Sequence, residues 1–104
     1  GRHSMRPELA GIDKRRFNST FDVNEFIKAT ELIKDRLIAV DVKYRLYQCT
    51  EDPFVIFELW EYPDAEAMEW VQSSMEGAVS IPRKFDIDSE IFTLAVKTAI
   101  DIEE

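Results

Sequence analysis

Two runs, Val40–Tyr47 and Phe54–Tyr62, constrain this chain more than any other stretch of its 104 residues. The first alternates apolar and polar side chains, as a half-buried strand does. The second is rich in aromatic and β-branched residues, which suit a pleated, packed surface. Between them, Thr50-Glu51-Asp52-Pro53 is polar, and proline there favours a turn over a ladder. The pair therefore predicts an antiparallel hairpin.

Around the hairpin, the pattern changes from period 2 to helical spacing and back. Arg15–Phe21 alternates, with Phe17, Ser19 and Phe21 on one face, and predicts the first strand. Residues 5–13 carry Pro7 and Gly11 and predict an irregular arm or a frayed strand start. Asp22, with Glu25 three residues later, predicts a helix N-terminus. Phe26, Ala29, Thr30, Ile33 and Leu37 then predict about four turns of amphipathic helix. After the hairpin, Asp64 predicts the N-cap of a second helix. Its stripe is Met68, Val71 and Met75, with Ala67, Trp70 and Ser74 beside it and Gly77 closing it. Residues 78–89 predict a loop. Ile91–Ile100 predicts a last, nearly continuous apolar strand covered on both faces, and the acidic stretch 101–104 follows.

The order is β-α-β-β-α-β, an α+β arrangement with an antiparallel sheet of the ferredoxin-like kind. Such a sheet carries its helices on one face. In this hairpin, both faces are apolar: Val40, Val42, Tyr44 and Leu46 lie opposite Tyr47 and Cys49, and Val55, Phe57 and Leu59 lie opposite Ile56, Trp60 and Tyr62. One chain cannot bury both faces, which predicts a two-fold homodimer packed sheet against sheet.

Composition narrows the function classes. The chain is apolar enough (45%) for one packed domain but too short for two cores. A net charge of −8 argues against nucleic acid or an anionic membrane as partner. The one basic cluster, Lys14-Arg15-Arg16, reads as a solvated strand edge. Cys49 is the single cysteine, so neither an intrachain disulfide nor a cysteine-based metal site can form, which suits a cytoplasmic setting. No run reaches the ~18 apolar residues of a membrane span. Residues 1–4 before Met5 read as an expression-tag remnant, leaving 5–104 as a single domain. They include His3, the only histidine. Without it, histidine bases, histidine-bound zinc and haem on a proximal histidine are unavailable. Asp86, Asp88 and Glu90 lack the spacing of a calcium loop, so no metal is expected.

Tyr44-Arg45-Leu46-Tyr47-Gln48-Cys49, then Asp52-Pro53, Phe57-Glu58-Leu59-Trp60-Glu61 and Asp64-Ala65-Glu66-Ala67-Met68, resemble the antibiotic-biosynthesis-monooxygenase-like proteins of the dimeric α+β barrel superfamily. The resemblance covers roughly residues 15–100. It implies a cofactor-independent oxidation of a phenolic or quinol-like aromatic in a pocket between sheet and helices, or a non-catalytic ligand-binding or regulatory homodimer of the same fold. Haem-degrading members use an asparagine on strand one, a tryptophan in the second helix and a later histidine. Asn18 and Trp70 match the first two, but Ser80 stands at the third. Val71 stands where many members place another histidine.

Five residues are candidates for the site. Glu58, mid-strand between apolar neighbours, is the candidate catalytic base or orienting group, because burial raises a carboxyl pKa toward neutrality. The alternative is an ion pair with Arg45 or across the dimer. Trp60, on the same strand face, could hold a substrate oxygen through its indole N–H, or simply pack. Trp70, Asn18 and Tyr44 complete the candidate substrate-binding set, against helix packing, solvent and interface packing respectively.

Overall fold

The computed structural model describes residues 7–74 and 86–100. Its elements are β1 (Leu9–Phe17), α1 (Thr20–Thr30), a 3-10 turn (Glu31–Ile33), α2 (Lys34–Ala39), β2 (Lys43–Gln48), β3 (Val55–Tyr62), α3 (Ala65–Ser74) and β4 (Asp86–Ala95). The strands form one four-stranded antiparallel sheet in the order β2-β3-β1-β4. This is the expected ferredoxin-like fold, with β1 and β3 central. Met75, Gly77, residues 78–85, the acidic tail and the first six residues lie outside the described residues.

The first strand starts and ends earlier than its sequence suggests. Leu9–Phe17 is strand, while Ser19 caps a helix that begins at Thr20. The Ser19 hydroxyl accepts a hydrogen bond from the backbone N–H of Asp22 at 3.1 Å. Asp22 is therefore the third helical residue rather than the cap, and its charge faces the positive end of the helix dipole. Ser19→Ala is expected to cost about 1 kcal/mol, lowering the melting temperature by roughly 4–8 °C. An unchanged thermal melt would show that this cap stabilises nothing.

The helix expected through Leu37 is broken by the 3-10 turn into α1 and the short α2. α2 closes with Val42 donating to the Leu37 carbonyl at 3.0 Å, and Asp41 takes the left-handed conformation at φ 58°. Aspartate tolerates that region better than most side chains. The closure uses residues 40–42, which is why β2 starts at Lys43 rather than Val40.

The hairpin stands where expected. Asp52 organises its turn, accepting from the backbone N–H of Phe54 at 3.1 Å through its carboxylate and of Val55 at 3.0 Å through its carbonyl. Asp64 caps α3 as expected, accepting from the Ala67 N–H at 2.8 Å.

β4 is displaced relative to the apolar run. It begins at Asp86, inside the expected loop, and ends at Ala95, leaving 96–100 outside the strand. It is an edge strand whose Ile91 and Phe92 are 62% and 53% exposed, so its faces are not both covered within one chain. The basic cluster also differs from its sequence reading. It lies on central β1, with Lys14 and Arg16 exposed and Arg15 buried between them.

All helices pack on one sheet face, in two apolar clusters. Phe17, Val23, Phe26 and Ile56 form one; Ile33, Leu37, Val42, Trp60, Tyr62, Ala67 and Val71 form the other. The opposite face carries Ile12, with Phe92 on one side of it and Leu59 on the other in register.

Candidate active site

Between the two apolar clusters the helix-side face of the sheet turns polar. Strand alternation places Gly11, Asp13, Arg15 and Phe17 on that face of β1. It faces them with Trp60, Glu58 and Ile56 on β3, because Gly11 is in register with Trp60, Asp13 with Glu58 and Arg15 with Ile56. Asp13, Arg15 and Glu58 are 7%, 8% and 3% exposed and are the buried charged residues among those described.

They satisfy one another. Arg15 Nε donates to Glu58 Oε1 at 2.6 Å, and a terminal guanidinium nitrogen donates to Asp13 Oδ2 at 3.3 Å. Glu58 Oε2 accepts from the Tyr44 hydroxyl at 2.5 Å. The Trp60 indole N–H donates to Asp13 Oδ2 at 3.2 Å. The guanidinium also lies 5.6 Å from the centroid of the Phe26 ring. Burial pushes both carboxyls up in pKa, and the neighbouring guanidinium pulls in the opposite direction. Burial, reinforced by these carboxylates, also raises the phenols: Tyr62 to about 12, and Tyr44 higher still. Both tyrosines are therefore neutral hydroxyls near pH 7.

Tyr44 connects this layer to the surface. Its ring packs against Trp60 at 4.5 Å between centroids, and Trp60 lies parallel to Tyr62 at 6.3 Å. Tyr44 also lines an open groove of about 600 Å³ with Thr30, Glu31, Lys34, Leu37, Ile38 and Val42. That volume falls within the usual range for a small-molecule site.

The expected residues divide accordingly. Glu58, Trp60 and Tyr44 come together in one network. Glu58 pairs with Arg15 rather than Arg45, because Arg45 stands in register with Leu59 and so projects from the other face. The Trp60 indole is engaged by Asp13. Trp70, on α3, is 41% exposed, and Asn18 is exposed in the turn beyond Phe17. Neither belongs to the hydrogen-bond network described. Asp13 and Arg15 were missed in the sequence. The available signal was parity: both lie an even number of residues before Phe17, on the face that a strand starting at Leu9 must bury. Among the described residues, no three His, Cys, Asp or Glu side chains group to hold a metal ion. Nor is any described helix long and apolar enough to cross a membrane.

No protein-family model matches the chain, and no curated protein matches it in sequence. Its fold does match solved structures. A dimeric ferredoxin-like protein from an uncultured marine organism superposes with a TM-score of 0.81 at 14% identity, covering 96% of each chain. A candidate antibiotic biosynthesis monooxygenase from Deinococcus radiodurans gives 0.75 at 10% identity, over 92% of this chain and 99% of that one. SnoaB, a cofactor-independent oxygenase from Streptomyces nogalater, gives 0.75 at 10% identity, over 90% and 97%. At such identities the likeness is one of fold. The fold is shared with the proteins that the sequence resembles.

Proposed function

We propose that this chain is a small-molecule monooxygenase-like protein that oxidises a phenolic or quinol-like aromatic without a cofactor, as a cytoplasmic homodimer. The observation that carries the reading is the buried Asp13–Arg15–Glu58 layer, joined through Tyr44 to a groove of ligand size. In such chemistry the deprotonated substrate itself passes an electron to oxygen. The protein must bind an electron-rich ring, accept a proton and stabilise the anion. Glu58 already accepts from Arg15 and Tyr44, so the orienting role fits it: it fixes the Tyr44 hydroxyl beside the groove. Trp60 backs the Tyr44 ring. Trp70 and Asn18 lie outside this network, so any part they play is in binding the outer parts of a substrate.

The test is oxygen uptake by the purified protein in air with a panel of electron-rich phenols and quinols. Uptake is expected for at least one of them and should fall about 100-fold in Glu58→Gln, the scale of loss when a reactant is mispositioned. Circular dichroism checks that the variant remains folded. Uptake that survives Glu58→Gln in a folded protein would remove Glu58 from the site.

The same saturation of Glu58 favours a second reading, a ligand-binding or regulatory homodimer. It predicts that an aromatic binds in the groove, quenching tryptophan fluorescence, with no oxygen consumed.

A further inference from the structure

Glu58 has both oxygens committed, which leaves open where a proton is held. The described layer sets two carboxyl groups against one guanidinium. Two ionised carboxylates there would leave a net negative charge in a buried layer, a costly arrangement that retaining one proton removes. Contact geometry decides between them. Glu58 receives the short, charge-assisted bonds, at 2.6 Å from Arg15 and 2.5 Å from Tyr44, and both favour its ionised form. Asp13 receives long ones from Arg15 and Trp60, at 3.3 and 3.2 Å, both on Oδ2, and shares a hydrogen bond with the Glu58 carboxyl, which requires one proton between the two.

We infer that Asp13 is the proton-exchanging group of this site, with Arg15 and Trp60 as its positioning residues. Among the described residues, the titratable and charged groups facing it are these. β1 supplies Arg15, β3 supplies Glu58 and Tyr62, and β2 supplies Tyr44. The helices contribute apolar Phe26, Ala67 and Val71 to the layer's surroundings, and β4 places Ile91 in register with Asp13. Neither tyrosine competes as a base, since both hold their protons near neutrality. Tyr44, bonded to Glu58 beside Asp13, is where this layer meets the groove. The resting neutral carboxyl gives its proton to an anionic product, and the carboxylate so formed takes the proton of the next bound phenol, giving phenolate and the neutral carboxyl again. This catalytic use rests on the proposed function; the protonation itself does not.

The test therefore needs no substrate. In heavy water near neutral pH, exposed carboxyls are ionised, and a retained proton shows as the carbonyl stretch of a protonated carboxylic acid in the infrared. The band is expected in the wild type, shifted when aspartate carboxyls carry carbon-13 and unshifted when glutamate carboxyls do, and absent in Asp13→Asn and in Glu58→Gln, each of which leaves one carboxyl to one guanidinium. A carboxyl with a raised pKa binds a proton on folding, so its contribution to stability falls as pH rises from the ordinary carboxylate value through the raised one. Urea midpoints of the wild type should carry this decline relative to Asp13→Asn, which lacks the group. The asparagine has the shape of the neutral acid, so this variant is expected to fold and the result stands even if Glu58→Gln does not. A wild type without the band, a band that shifts with glutamate labelling instead, or a band and pH slope that persist in Asp13→Asn would overturn the inference. Each of these results leaves the oxygen-uptake test of the proposed function independent.

Discussion

Arg15→Met is expected to cost about 3–5 kcal/mol, the scale for removing one partner of a buried charge network, and so much of the ~5–15 kcal/mol that holds a domain of this kind folded. Methionine keeps most of the side-chain volume and its contact with Phe26, so the loss isolates the charge. Without the guanidinium, Glu58 loses its 2.6 Å donor and Asp13 its cationic neighbour, in a layer where none of the three is more than 8% exposed. Glu58 must then ionise unpaired or bind a proton beside the neutral Asp13, so the deficit should shrink toward acid pH. Urea denaturation measures it, with an unchanged slope confirming that the same surface unfolds. Arg16→Ala is the internal control. That side chain also makes a close ion pair, to Asp52 at 2.7 Å, but its partners are 46% and 34% exposed, and such pairs are worth at most ~1 kcal/mol. Equal losses at the two positions would mean that the buried layer is not what the guanidinium stabilises.

What could be read from the sequence follows from which signals are local. The hairpin was legible because alternation, β-branched content and the Asp52-Pro53 turn agree over one continuous stretch. α3 was legible because Asp64 caps it and Val71 and Met68 recur at helical spacing. Glu58 stood out because a carboxylate flanked by Phe57 and Leu59 is anomalous within its own strand. Its partner was not legible. Arg45 is the closer base in sequence, and only the register shows that it projects from the opposite face while Arg15, 43 residues upstream, does not. Asp13 escaped for a related reason: Pro7 and Gly11 made residues 5–13 read as irregular. Pro7 precedes the strand, and Gly11 sits within it opposite Trp60. The end of β1 was misplaced because Ser19 and Phe21 continue the alternation into what is helix. A serine cap and a polar strand position look alike until the chain turns. β4 was misplaced because its first half, Asp86 to Glu90, is acidic, and hydropathy alone gives no reason to pair it with Lys14 and Arg16.

The second large effect should come from the face that carries no helix. Ile12 stands at its centre, with Phe92 beside it on β4 and Leu59 on β3. One row away along the strands, Leu94 pairs with Ala10, and Phe57 lies between Lys14 and Tyr47. Phe92, Leu94 and Tyr47 are 53%, 40% and 50% exposed in the single chain. Burying a large apolar side chain is worth ~1.5–3 kcal/mol, and in a two-fold dimer each such residue counts once per copy. Lys14, Arg45 and Glu90 surround this apolar centre, as a polar rim surrounds an interface core. The wild type is therefore expected to sediment at twice its 12.1 kDa chain mass. Ile12→Lys places a cation at the middle of the patch, where two-fold symmetry sets it near its own copy. Two unpaired, desolvated charges then oppose association, so the dissociation constant should rise by at least ~100-fold, or ~3 kcal/mol. Because Ile12 faces away from the Asp13 layer, the infrared band of the protonated carboxyl should survive in the variant. A wild type that stays a single folded chain at high concentration, or an Ile12→Lys protein that still sediments as a dimer, would show that this face does not join two copies.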